Sequence, residues 1–184
     1  MEENKQIRAF IAIDLPRKAI SEIREIQELI RKQNLFYGKF IEPENLHLTL
    51  KFLGEIDEEK IKEVGKKLTD IKIGKFKVRI GNAGVFSRDV TRIIWVKLKG
   101  KEIFELQKEI DEKLGDLFLK EERFMGHITI ARVKNIPDRK EFLNYLKGIK
   151  TKSLEFPVED FVLKKSELKS AGPDYEDIER YELL

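Results

Sequence analysis

Apolar positions along this chain switch between two spacings, and the switches predict strands interleaved with helices. RAFIAID, Arg8 to Asp14, is apolar almost throughout and of strand length, as expected for a strand buried on both faces. Pro16 suits a first helical turn with Asp14 placed to cap it, and Ile20, Ile23, Ile26 and Ile30 make one apolar helix face. EPENLHLTLKFLG then reads as a strand, with Pro43 ahead of it and Gly54 closing it. Asp57 predicts the cap of a second helix whose inner positions are Ile61, Val64, Leu68 and Ile71. Lys75 to Phe86 is a further strand, in which Gly81 and Gly84 favour a bulge.

The second half repeats the order. Thr91 to Leu98 is a strand, Ile103, Leu106, Ile110 and Leu114 mark a helix, and GHITIARV is the next strand. Asp138 to Ile149 reads as a helix facing inward through Phe142, Leu146 and Ile149. LEFPVEDFVLKKSEL returns to strand, and a Gly-Pro turn leads to a last strand through Tyr175, Ile178 and Tyr181. The expected class is α+β: one domain over residues 1–184, with pseudo-repeats at about 7–88 and 90–170 and a terminal strand over 174–184. Element order alone does not require a duplication. The stronger sign is one unusual tetrapeptide frame, H-x-T-x, in the same slot of both halves.

Composition narrows the setting. Charged residues are 39% of the chain against a usual share of about 25%, nearly balanced at 37 Lys+Arg and 34 Asp+Glu, which predicts a surface laced with ion pairs. The absence of cysteine excludes disulfides and thiolate metal sites. Heavy Lys, Glu and Ile usage fits an intracellular protein from a hot environment. A net charge of +3 is too small to argue for nucleic acid by itself. No apolar run approaches the roughly 20 residues of a membrane span, and no secretory cleavage pattern follows the start, so a soluble cytoplasmic protein is expected.

His47 and His127 are the only histidines, and each is followed two places on by one of five threonines, a coincidence of order one in a thousand by chance. Strand alternation projects His47 with Thr49, and His127 with Thr129, the pair about 7 Å apart along one face, while Leu48, Leu50, Phe52, Ile128 and Ile130 turn to the other. The same alternation puts Lys51 on the His47 face and Arg132 opposite His127, so that Arg132 needs a bulge or strand end to reach it. A lone strand histidine is ordinarily structural or exposed. A metal site lacks a third ligand at suitable spacing, and a Ser-His-Asp arrangement leaves the second motif unexplained. Two imidazoles flanking one centre suit acid–base catalysis of phosphoryl transfer, one taking a proton and one giving it. Threonine hydroxyls can donate to phosphate oxygens, and Arg132 can add a bidentate contact or be an ordinary surface ion pair.

RAFIAIDLP, HLTLKFLG and HITIAR together resemble the 2'-5' RNA ligase (LigT-like) branch of the 2H phosphoesterase superfamily, also called RNA 2',3'-cyclic phosphodiesterases, over nearly the whole chain. With the composition, the resemblance implies a thermophilic archaeal source. It implies a bilobal pseudo-two-fold fold, two antiparallel sheets flanking a central cleft with helices outside. It also implies metal-independent hydrolysis of RNA 2',3'-cyclic phosphate ends to 2'-phosphomonoesters, with reversible 2'-5' ligation when an RNA 5'-hydroxyl replaces water. His47 matches the proton donor to the departing 3' oxygen, His127 the base that activates water, Thr49 and Thr129 the phosphate-binding hydroxyls, and Arg132 the arginine of an H-x-T-x-x-R pattern. No cofactor or metal is implied. The partners would be RNA ends, transfer RNA among them, or nucleotides, bound by a monomer with no membrane contact. Phe10 and Lys51 are candidates for base or phosphate contacts, although Phe10, Phe40 and Phe52 suit a core better, and Lys51 suits a solvated surface equally well. The alternatives are a nucleotide- or RNA-binding module of the same fold without catalysis, and a phosphodiesterase for another small cyclic phosphate.

Overall fold

The computed structural model describes residues 6–87, 89–170 and 172–184. The apolar run near the start forms β1 (Ile7–Asp14), followed by α1 (Arg17–Gln33), a short β2 (Tyr37–Phe40), β3 (His47–Ile56), α2 (Glu58–Leu68) and β4 (Phe76–Val85). The second half supplies β5 (Ile93–Lys99), α3 (Lys101–Lys113), β6 (His127–Asn135), α4 (Arg139–Gly148), β7 (Glu155–Val158), β8 (Asp160–Lys169) and β9 (Gly172–Glu182). Asp57 and Asp138 cap α2 and α4, each side chain accepting from the backbone N–H three residues on. Asp14 does not cap α1. That helix starts after Pro16 with no side-chain cap, and Asp14 pairs instead with Lys164 at 3.0 Å and Arg180 at 2.7 Å.

The strands form one curled antiparallel sheet in the order β7-β4-β5-β6-β3-β1-β8-β9, with β2 added on β6. It divides naturally into two halves, because β3 and β6 meet through one backbone pair, Leu48 with Ile128. One half is β3-β1-β8-β9 and the other β6-β5-β4-β7. Each half-sheet borrows from the other half of the chain: β4 pairs with β5, and β8 with β1. The segment read as one strand from Leu154 is therefore two, separated at Glu159: β7 joins one half-sheet and β8 the other. The expected bulge in β4 falls at Gly81 and Asn82, between the pairs Ile80–Leu98 and Ala83–Val96.

The helices cover the outer side of the sheet with a similar exchange: α1 packs on β6 and α3 on β3. Ile23, Ile26 and Ile30 from α1 and Ile103, Leu106 and Ile110 from α3 lie in one continuous apolar core with Leu48, Leu50, Ile128 and Ile130. Burying these side chains, at about 1.5–3 kcal/mol each, pins both H-x-T-x strands from behind. No helix among the described residues is long and apolar enough to cross a membrane.

Candidate active site

β3 and β6 share one burial sequence over their first nine residues, from His47 and from His127. Both histidines and both threonines are partly exposed, and the residues between them are buried. In both strands the alternation breaks at the same place. Leu50 and Lys51 are both buried, as are Ile130 and Ala131, because the register with the neighbouring strand slips there. Each slip is a bulge that moves the following residues to the opposite face. Arg132 thereby arrives on the His127 face, and Phe52, 67% exposed, arrives on the His47 face.

The bulge corrects two expectations. Lys51 is not on the cleft. It is 5% exposed, ion-paired with Asp111 and donating to the Leu119 carbonyl at 2.8 Å. Burial pushes the Asp111 carboxyl up, but hydrogen bonds from Lys51, the Glu121 N–H and Gln107 outweigh it and hold the group below its usual range. Phe52, read as core-facing, is on the surface of the cleft, its ring 6.1 Å from that of Phe10. Phe10 is 3% exposed and packs 5.0 Å from the His47 ring, so it offers no open face to a ligand.

Each imidazole is oriented by the backbone two residues before it. His47 Nδ1 lies 2.8 Å from the Asn45 carbonyl, and His127 Nδ1 lies 2.7 Å from the Met125 carbonyl. A carbonyl only accepts, so each Nδ1 carries a proton and each Nε2 is left for chemistry. His47 Nε2 faces the Thr49 hydroxyl at 3.0 Å. Burial lowers the His47 pKa to about 4, with the Asn45 carbonyl opposing and the charges of Lys164 and His127 assisting. Burial lowers His127 as well, against the pull of the Met125 carbonyl. Burial thus favours the neutral form of both rings in the free protein.

Residues not singled out from the sequence complete the surroundings. Tyr175 on β9 packs edge-on against His47 at 5.2 Å, and its phenol, raised by burial, is drawn back by the charges of Arg132 and Arg8. Asn45 Nδ2 donates to the Pro173 carbonyl at 3.0 Å, tying β9 to the turn that precedes His47. Phe86 packs edge-on against His127 at 4.8 Å, beside Trp95 at 5.9 Å. The orienting contacts at Asn45 and Met125 come from the main chain, so residue type carries no trace of them.

Gln27 of α1, 4% exposed, donates to the carbonyl of Ile130 at 2.9 Å and to that of Ile41 at 2.8 Å, so it buttresses the bulge before Arg132. On the other side, Lys51, Asp111 and Gln107 form the polar support between the β3 bulge and α3. Gly38 lets β2 lie against the same stretch of β6. A Cβ there would fall 2.1 Å from the Arg132 carbonyl oxygen.

Paired imidazoles, paired hydroxyls and a guanidinium suit phosphoester chemistry, and the fold and site together define a phosphoesterase. The family model "LigT like Phosphoesterase" matches residues 13–95 and 97–175, and the chain belongs to that family. It is 38% identical to the RNA 2',3'-cyclic phosphodiesterase of Methanocaldococcus jannaschii, over 95% of this chain and 100% of that one. It is 35% identical to the protein of the same name from Thermotoga maritima, over 92% of this chain and 91% of that one. Among solved structures, a Thermus thermophilus protein superposes with a TM-score of 0.78 at 28% identity, covering 96% of this chain and 97% of that one. LigT of Escherichia coli in its apo form gives 0.80 at 23% identity, over 97% and 98%, a likeness of fold.

Proposed function

We propose that this protein hydrolyses RNA 2',3'-cyclic phosphate ends to 2'-phosphomonoesters by acid–base catalysis between His47 and His127, without a metal. The observation that carries the reading is the matched pair of strands: two imidazoles presenting Nε2, each with a threonine on the same face, either side of the Leu48–Ile128 junction. The names of its relatives support the substrate class. His127 Nε2 takes a proton from water as it attacks phosphorus, the bond to the 3' oxygen breaks, and His47 Nε2 returns a proton to that oxygen. Thr49, Thr129 and Arg132 hold the non-bridging oxygens, where charge accumulates. Charge neutralisation, acid and base are then all supplied by side chains.

His47 is neutral before substrate arrives, so its role as acid requires that the phosphate anion bring its pKa up on binding. With an RNA 5'-hydroxyl in place of water the same steps run to a 2'-5' linkage. We propose that residues 1–184 work as one bilobal catalytic domain, with pseudo-repeats over about 7–88 and 90–170 and a terminal strand over 174–184. The separate family matches to residues 13–95 and 97–175 support this division. One copy carries both histidines, so a monomer suffices, and we place it in the cytoplasm, acting on RNA ends, those of transfer RNA included.

The test is turnover of a 2',3'-cyclic-phosphate RNA in chelator by the wild type, His47→Ala and His127→Ala. Each variant is expected to lose about 10²–10⁴-fold or more while remaining folded. Wild-type rates in either variant would refute the two-histidine mechanism.

A further inference from the structure

We propose a second nucleoside subsite on the His127 side of the cleft, built by Phe86 and Trp95, for the nucleoside whose 5'-hydroxyl takes the place of water. The proposal rests on the roles assigned above to His47 and His127, and it adds a place for the second substrate of the ligation direction.

Phe86 is 56% exposed although its edge contact with His127 places it at the reacting centre. Leaving an aromatic ring open beside a catalytic base forgoes apolar burial, whereas a nucleobase stacking on it would recover that burial at about 1–3 kcal/mol per base. Trp95 next to it is 9% exposed and lies opposite Thr129 in the β5–β6 register. It lies outside the apolar core cluster, and its indole N–H is the one buried side-chain polar atom among the described residues with no hydrogen-bond partner. No protein group among the described residues uses that donor, which an acceptor on a bound ligand could engage on reaching the ring. Gly84 makes room for the indole: a Cβ at that position would lie 2.5 Å from the Trp95 ring.

Position relative to the base decides which nucleoside this is. The cyclic nucleoside must place its 3' oxygen by His47, the proposed acid. The group next to His127 is the one that loses a proton, and a nucleoside stacked on Phe86 presents its 5'-hydroxyl there. In the transfer, the 5' oxygen forms a bond to phosphorus and its proton passes to His127 Nε2. The bond from phosphorus to the 3' oxygen breaks, and that oxygen takes the proton from His47. The product is a 2'-5' diester, with no water and no further reactant. Cleavage of a 2'-5' dinucleotide is the same path reversed.

The experiment compares two substrates, 2'-5'-linked ApA and adenosine 2',3'-cyclic phosphate, and uses the emission of Trp95, the single tryptophan in the chain. With wild-type protein, 2'-5' ApA should quench Trp95 saturably, and Phe86→Ala should abolish the saturation. Phe86→Ala should raise KM for ApA cleavage at least tenfold more than for cyclic phosphate hydrolysis, and Phe86→Tyr should stay within about threefold of wild type on both. Equal losses on the two substrates would mean that Phe86 only holds His127, and would overturn the proposal. So would an unchanged Trp95 emission at millimolar ApA. Failure of the wild type to hydrolyse the cyclic phosphate would instead strike the proposed function, while the fluorescence titration still reads the subsite.

Discussion

Arg132 and Phe52 stand at equivalent places, five residues after His127 and His47, and each is turned onto the cleft by a bulge at the same step of its strand. One half of the cleft thus receives a cation and the other an aromatic ring. The asymmetry suits a substrate with a charged phosphate and an unsaturated base.

Arg132 should therefore matter to the charge that develops at phosphorus. Arg132→Ala is expected to lower kcat/KM by about 10²–10³, and Arg132→Lys to recover only part of it, because an ammonium cannot make the bidentate contact. Gln27→Met, far from the reacting atoms, removes both donors to the Ile130 and Ile41 carbonyls. It should cost about 1–3 kcal/mol of stability and also lower kcat/KM by loosening the bulge under Arg132. Steady-state kinetics with guanidinium unfolding of the same samples checks both, and an unaltered Gln27→Met enzyme would contradict the bulge's role.

Lys51 gives the opposite expectation. Lys51→Met leaves Asp111 buried without its cation and should destabilise the protein by about 3–5 kcal/mol, while the folded fraction keeps wild-type KM within about threefold. A raised KM for the cyclic phosphate, with little loss of stability, would return Lys51 to the cleft.

Burial of neutral His47 makes stability depend on pH in a definite direction. The unfolded chain protonates this histidine near its ordinary value of 6.5 and the folded chain only at about 4, so protons favour unfolding across that window. Stability due to this group is complete above about pH 6.5 and falls, by about 2–3 kcal/mol, as pH drops toward 4. Unfolding curves at pH 7 and 4.5 should show wild type losing more stability than His47→Asn, and equal losses would show that His47 is not held neutral.

The same shift predicts coupled proton uptake. A singly charged, unreactive phosphodiester should bind more tightly as pH falls from 7 toward 5, by up to about tenfold per pH unit, because the anion raises His47 and a proton enters with it. Calorimetric titration in buffers of different ionisation enthalpy reads the uptake directly. An affinity independent of pH would exclude His47 as a proton donor loaded on binding.

Strand and helix order were legible in the sequence because Ile23, Ile26 and Ile30, and Ile103, Leu106 and Ile110, keep helical spacing, and because the two H-x-T-x frames recur. The placement of His47 with Thr49, and of His127 with Thr129, on one strand face was legible for the same reason. Lys51 and Phe52 were misplaced by one fact that periodicity does not carry: the bulge at Leu50 and Lys51, set by pairing with β1 and by the buried partner Asp111 sixty positions away. Tyr175 reaches His47 only because β9 lies on β8 and the turn before His47 holds Pro173, a contact between segments 128 residues apart. The short β2 escaped notice because Tyr37 to Phe40 has no apolar rhythm and is a strand solely through its pairing with β6.

The central claim assigns the departing 3' oxygen to His47, and the position of the product phosphate tests it most directly. After incubation of a 2',3'-cyclic-phosphate RNA with the enzyme, the terminal nucleotide should carry its phosphate on the 2' oxygen with a free 3'-hydroxyl. A 3'-phosphate product would contradict the account, because the bond broken would then be the one to the 2' oxygen.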